Sequence, residues 1–249
     1  MADKSVLPGK LGKAPARRDP RTLQYRAYKT GALPAPPQAH WGHIPGWTML
    51  GNDKYGDCVE AAYAHMVQGF THFAKNPWVP QDSDALTAYT NITGFNPANP
   101  NTDQGTDMLT ACNFWVSAGM SGHKVNAFLA VTPAAQADVQ DSIAYYGGLY
   151  IGMQLPVSAQ NQVGTCWSVV TGPDSQAGSW GGHCVPVVGY TQSSLWVVTW
   201  GTLQELTWEF LMTYTDEAYV FLDSDYLNAK GLSPKGLSWG TLMGDLNSL

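Results

Sequence analysis

Asn52-Asp53-Lys54-Tyr55-Gly56-Asp57-Cys58, with the residues that follow it, decides how the whole chain is read. After Cys58 the apolar residues recur at Val59, Ala62, Tyr63, Met66, Val67, Phe70 and Phe73. That spacing keeps one face of an α-helix apolar over four turns. Gly56 interrupts the chain ahead of it, Asp57 is a favoured N-cap residue, and Asn76 before Pro77 closes it. Cys58 therefore stands in the first turn of a helix built to pack on a core. Partial positive charge and free N–H groups at that end favour the thiolate over the thiol. A cysteine placed so is either a small buried hydrophobe or a nucleophile in need of a base.

The 249 residues suffice for one large domain or two small ones. The sequence is 44% hydrophobic and only 13% charged, below the usual quarter, with ten Trp and twelve Tyr to fill a core. A net charge of −6 carries no nucleic-acid footprint. No apolar run reaches membrane-spanning length, so neither a nucleic acid nor a membrane is an expected partner. The opening Met-Ala-Asp-Lys-Ser lacks the layout of a signal peptide, so the expected location is the cytoplasm or an assembled particle. Cys58, Cys112, Cys166 and Cys184 show no metal-ligand spacing and are expected as thiols. No metal, nucleotide or redox cofactor is implied.

Residues 1–45 read as an extended, proline-rich arm without apolar periodicity. It carries a basic cluster, Lys10, Lys13, Arg17, Arg18, Arg21, Arg26 and Lys29, suited to an acidic partner surface or to the acidic body of the chain itself. A domain over 46–225 follows, then a Gly/Ser-rich tail over 226–249. Within the domain, helices are expected at 83–91 and 107–118, the second closed by Gly119. A strand is expected at 123–131, and a helix capped by Thr132 with Pro133 at its first position runs to Tyr146. Further strands are expected at 149–155, 183–190, 195–200 and 218–222, with a short helix capped by Thr207. Residues 91–106 and 157–181 read as loops. Helices first and antiparallel strands later give an α+β fold class. His65, Cys112, Cys166 and Cys184 are assigned to packing.

A cysteine opening an N-terminal helix and a histidine opening a C-terminal strand make a recognisable constellation, and the chain resembles the papain-like cysteine peptidase superfamily. Gly182-His183-Cys184-Val185-Pro186-Val187-Val188-Gly189-Tyr190 is similar to that family's histidine strand. Asn52 stands six residues before Cys58, where the family carries a glutamine whose amide helps form the oxyanion hole. Trp200-Gly201-Thr202 resembles the end of the family's Asn-Ser-Trp-Gly-Thr. Gly56-Asp57-Cys58 followed by Ala61-Ala62 looks closest to the bacterial double-glycine, bacteriocin-processing branch. The resemblance implies a two-lobe fold, a helical lobe around the Cys58 helix and a sheet lobe bearing His183. Gly182 and Trp200 then line the cleft between the lobes.

The resemblance also implies roles. Cys58 is the nucleophile, His183 the general base and acid, and the Asn52 amide with the Cys58 N–H receives the oxyanion. The third triad position departs from the pattern: it falls on Val198 counted from Trp200-Gly201, or on Thr199 counted from the bacterial form. A valine cannot orient an imidazole, and a hydroxyl does so without a charge; an acid from Asp174, Glu205 or Glu209 is the other source. Two functions stay open at this point. One is a cysteine peptidase acting on a peptide substrate through a thioester. The other is a catalytically impaired structural protein of a phage particle or other bacterial assembly, docked on protein neighbours or on further copies of itself through residues 1–45. No inhibitory propeptide motif stands in the arm, while its position before Cys58 allows that role. An arm over its own cleft, or a polar group at the far nitrogen of His183, favours the enzyme. An arm laid along a neighbour favours the scaffold.

Overall fold

A computed structural model describes residues 9–29 and 34–223; the tail expected at 226–249 lies outside them. The described elements are α1 (Tyr25–Tyr28), β1 (Ala39–His40), α2 (Cys58–Phe73), α3 (Asp82–Thr93), α4 (Met108–Ser117), β2 (Ala127–Ala130) and α5 (Gln136–Tyr146). β3 (Leu149–Leu155), β4 (Cys166–Trp167), β5 (Gly181–Tyr190), β6 (Ser194–Thr199), β7 (Thr202–Thr207), α6 (Trp208–Tyr214) and β8 (Thr215–Leu222) complete the order. The expected α+β class holds: α2 to α4 precede a sheet ordered β2-β8-β3-β5-β6-β7-β4, with β1 added to the end of β5. Every pairing is antiparallel except β4 with β7.

α2 begins at Cys58, as the periodicity predicts, and packs against β5. Its surroundings are more enclosed than a one-sided stripe requires, because Glu60, His65 and Gln68 are buried along with the apolar face. Tyr63 shows what the helix contributes to the core. Its ring lies flat on Trp115 of α4 at 4.1 Å and 3°, meets Phe221 of β8 edge-on, and sends its hydroxyl to the His123 carbonyl at 3.1 Å. Trp115 is wholly buried and its Nε1 has no hydrogen-bond partner among the described residues. Trp115→Ala is therefore expected to cost about 3–5 kcal/mol in urea unfolding. Trp115→Phe, which keeps a ring and loses no hydrogen bond, is expected to cost much less.

Several boundaries differ from the expectations. Asp57 occupies the N-cap position of α2, but its side chain makes no capping bond. α2 ends at Phe73, with Ala74 as C-cap, before Asn76 is reached. Strand β2 covers only 127–130, and Thr132-Pro133 forms a turn ahead of α5 rather than its first turn. β7 falls in a span with no strand expectation. Thr199 and Thr202 pair across the two-residue turn Trp200-Gly201, where both residues have positive φ, 47° and 72°. That is the hairpin geometry whose twist matches the strands. Glycine is at ease there and tryptophan is not, so the usual sequence signature is half missing. β4 lies within the expected loop 157–181.

Within the segment read as an arm, α1 and β1 are regular, Tyr25, Tyr28 and Ile44 are buried, and β1 pairs with β5. No helix of the described residues is long and apolar enough to cross a membrane.

Candidate active site

Cys58 and His183 arrive from the two ends of the sequence because α2 packs on β5. The backbones of Cys184, the residue after His183, and of Gly12 of the arm lie beside the Cys58 thiol and act to lower its pKa. His183 is 1% exposed. Its Nε2 lies 2.7 Å from Thr199 Oγ1, and the Trp200 ring stacks on the imidazole at 4.7 Å and 19°. The strained turn at Trp200 is what lays that ring over the histidine. Nδ1 of His183 is buried with no hydrogen-bond partner among the described residues. With Nε2 as the N–H donating to the hydroxyl, Nδ1 keeps a bare lone pair, the form a general base needs.

Thr199 thus stands at the far nitrogen. Val198 pairs with Leu203 on the adjacent position of the hairpin, where alternation turns it to the opposite face. Asp174, Glu205 and Glu209 make no bond to the histidine, so the hydroxyl is the orienting group. Asn52 is buried beside the same seam. Its Nδ2 donates to Tyr55 O at 3.0 Å, so one amide hydrogen is spent within its own loop. His65 is tied to Thr48 O at 3.0 Å and packs against Trp47, a structural histidine as expected. Cys112 and Cys184 are buried and Cys166 half-buried, all free thiols.

The helix end does not deliver the low thiol pKa that its position suggests. Burial pushes the Cys58 thiol up to about 12, with the nearby Glu60 and Asp57 carboxyls adding to the rise. Burial likewise drives His183 down to about 3. Removal from water penalises both charged forms more than the helix dipole favours one of them. Burial thus favours the neutral form of each group. Asp57, also buried, is raised to about 8, and Glu60 is raised well above its usual range. Glu60 accepts the Thr106 hydroxyl at 2.7 Å.

The burial has one chief cause: residues 9–14 run across the site. Lys10 N donates to Asn52 O at 2.7 Å, and Trp200 Nε1 reaches Lys10 O at 3.4 Å. Thr106 N donates to Gly12 O at 2.7 Å, Lys13 N to Gly182 O at 3.1 Å, and Ala14 N to Thr106 O at 2.9 Å. Lys13 and Thr106 form a parallel bridge. The arm is thus held by backbone bonds with one isolated bridge, and the Gly12 backbone lies beside the Cys58 thiol. Gly12 is indispensable to that seating, since a Cβ there would fall 1.8 Å from Gly56 O.

Salt bridges extend the docking outward: Lys10–Asp103 at 3.6 Å, Arg17–Asp107 at 3.0 Å, Arg26–Asp138 at 3.1 Å, and Lys29 on Asp138 and Asp141. The acidic surface suited to the basic arm is the chain's own body. The path of the arm was not readable because its hold is largely through backbone atoms, which leave no residue signature. The spacing of Lys10, Lys13 and Arg17 was the one available signal.

No protein-family model and no curated protein matches the sequence. Solved structures do match in shape. The cysteine protease xylellain from Xylella fastidiosa aligns with a TM-score of 0.67 at 16% identity, over 87% of this chain and 97% of that one. Procathepsin L 3 from the larval midgut of Tenebrio molitor gives 0.59 at 12%, over 85% and 75%. The Carica candamarcensis cysteine protease CMS1MS2 gives 0.53 at 12%, over 76% and 99%. The chain has the papain-like α+β fold.

Proposed function

We propose that this papain-fold chain is a cysteine peptidase whose own residues 9–14 hold it latent. The observation that carries the reading is the arm itself, bonded through its backbone over Cys58, Asn52 and the histidine strand. Once the arm leaves, water enters and the penalty on charge falls. Nδ1 of His183 takes the Cys58 proton, and the thiolate attacks a peptide carbonyl carbon. The Cys58 N–H and the Asn52 amide, turned from its present partners, receive the developing oxyanion. The imidazolium then gives its proton to the leaving amine, and water hydrolyses the thioester. Thr199 holds the ring in register without a charge of its own, so the imidazolium is less favoured than beside a carboxylate.

Gly12→Val displaces the arm without touching a reacting group. The full-length variant is expected to cleave peptides that the unaltered chain leaves intact, and Gly12→Val/Cys58→Ala is expected to cleave none. An arm-displaced chain that hydrolyses nothing, and whose Cys58 takes iodoacetamide no faster than Cys166, sinks the peptidase reading in favour of a structural role. In the Gly12→Val background, Thr199→Val leaves the far nitrogen of His183 unbonded, and kcat/KM is expected to fall about 10- to 100-fold. Thr199→Ser should restore most of it.

A further inference from the structure

Lys13 is the most enclosed cation among the described residues. Its side chain is 0% exposed, with Nζ 3.0 Å from Asp216 Oδ2, 2.9 Å from Glu217 Oε1 and 3.0 Å from Ala14 O. The two acids are successive residues of β8, which would ordinarily face opposite sides of the sheet. A bulge prevents that: Gly152 pairs with Glu217 and Met153 with Thr215, so Asp216 is the extra residue. Both carboxyls therefore reach one point. Each is held in place, Glu217 by the Tyr219 hydroxyl at 3.0 Å and Asp216 by Gln154 Nε2 at 2.7 Å. The stem of the lysine runs over Gly152, where a Cβ would fall 2.0 Å from Lys13 Cε and 2.6 Å from Met108 Sδ. These features make a pocket with two acids at its end and a wall cleared for a straight aliphatic chain. It opens beside the residue that covers Cys58.

We infer that this pocket is the specificity site of the enzyme, and that its substrates are peptides carrying a basic side chain, lysine foremost, beside the residue at Cys58. The inference rests on the peptidase reading for its meaning. When the arm leaves it takes Lys13 along, and the Asp216 and Glu217 carboxyls, 26% and 7% exposed even with Lys13 in place, lose their counter-charge. A cation that bonds both is favoured over an apolar side chain of the same length, which would strip water from two carboxylates and give them no bond in return. Burial already raises the Glu217 carboxyl, with Lys13 pulling against it.

The test uses capped hexapeptides with one Lys, Arg, Leu or Ala among glycines, which need no assumption about chain direction. Binding to full-length Gly12→Val/Cys58→Ala is read from tryptophan fluorescence, with Trp180 and Trp200 at the site. The lysine peptide is expected to bind at least about 10-fold tighter than the leucine peptide, and Asp216→Asn/Glu217→Gln to cut that to less than about 2-fold. Gly152→Ala fills the wall and should weaken the lysine peptide while leaving the alanine peptide unchanged. This covers the case in which the double amide variant does not fold. Equal binding of lysine and leucine peptides, or binding of neither, overturns the pocket. Hydrolysis by the Gly12→Val chain is scored separately. Cleavage without a lysine preference leaves the peptidase and removes the pocket, whereas a lysine preference in binding without cleavage does the reverse.

Discussion

Lys13→Glu is expected to expose Cys58, raising its rate of alkylation by iodoacetamide at least about 100-fold over the unaltered chain. Five cationic residues tie the arm to the body, but they are unequal. Lys10 and Arg17 are more than half exposed, and surface pairs of that kind contribute about 0–1 kcal/mol. The Lys13 side chain is fully buried against Glu217, 7% exposed, with Asp216 at 26%, and breaking a buried pair costs about 3–5 kcal/mol. A glutamate adds a third carboxyl to the two already there. Alkylation of a covered thiol proceeds through the open fraction, and about 3 kcal/mol changes that fraction by more than 100-fold. Arg17→Glu, by the same reasoning, is expected to change the rate less than about 5-fold. Mass spectrometry of each cysteine reads both variants, with buried Cys112 and Cys184 as internal references. If Lys13→Glu leaves Cys58 as slow as before, Lys13 does not hold the arm down.

The second large effect concerns Asp57, a residue that the sequence offers as an ordinary helix cap. Its carboxyl is buried, and its pKa is raised from 3.8 to about 8 by that burial, with the Asn52 side chain pulling against the rise. The folded chain holds the proton that the unfolded chain releases. The stability linked to this group is therefore complete below about pH 4, falls as the pH rises, and is fully lost by about pH 8. Asp57→Asn removes the titration. Its advantage over the unaltered chain should be small near pH 4 and grow to on the order of 5 kcal/mol at pH 8. His65 and His183 act in the opposite sense, since each is lowered by burial and destabilises the fold as pH falls. Both are common to the two proteins and cancel in the difference. Urea unfolding at pH 4, 6 and 8 measures it, and a difference independent of pH would show that Asp57 is already ionised in the fold.

What could be read in the sequence follows from where the information lies. The α2 face was legible because seven apolar residues repeat at helical spacing. The β5 strand was legible because a nearly unbroken apolar run, with valines at 185, 187 and 188, is what a strand buried on both faces requires. The expectation that Cys58 works with His183 came from the resemblance and from the element order. The third position was legible only as a choice between Val198 and Thr199, which strand register alone resolves. The protonation states were not legible. They depend on burial by residues 9–14, and that segment has no periodicity to betray its path. Nor was the acid pocket, since a one-residue bulge in β8 decides whether Asp216 and Glu217 diverge or converge.

The closure between Lys13 and Asp216 joins residues 203 positions apart. A ribosome delivers the lysine early and its carboxylate partners near the end of the described chain. The cover is therefore made well before the acids that lock it in place. Until β8 has emerged and paired with β3, the Lys13 ammonium has neither of its carboxylate partners, although Cys58 and its helix already exist. The ion pair that fastens residues 9–14 over Cys58 can thus form only after β8 is made, so the thiol exists before that fastening does.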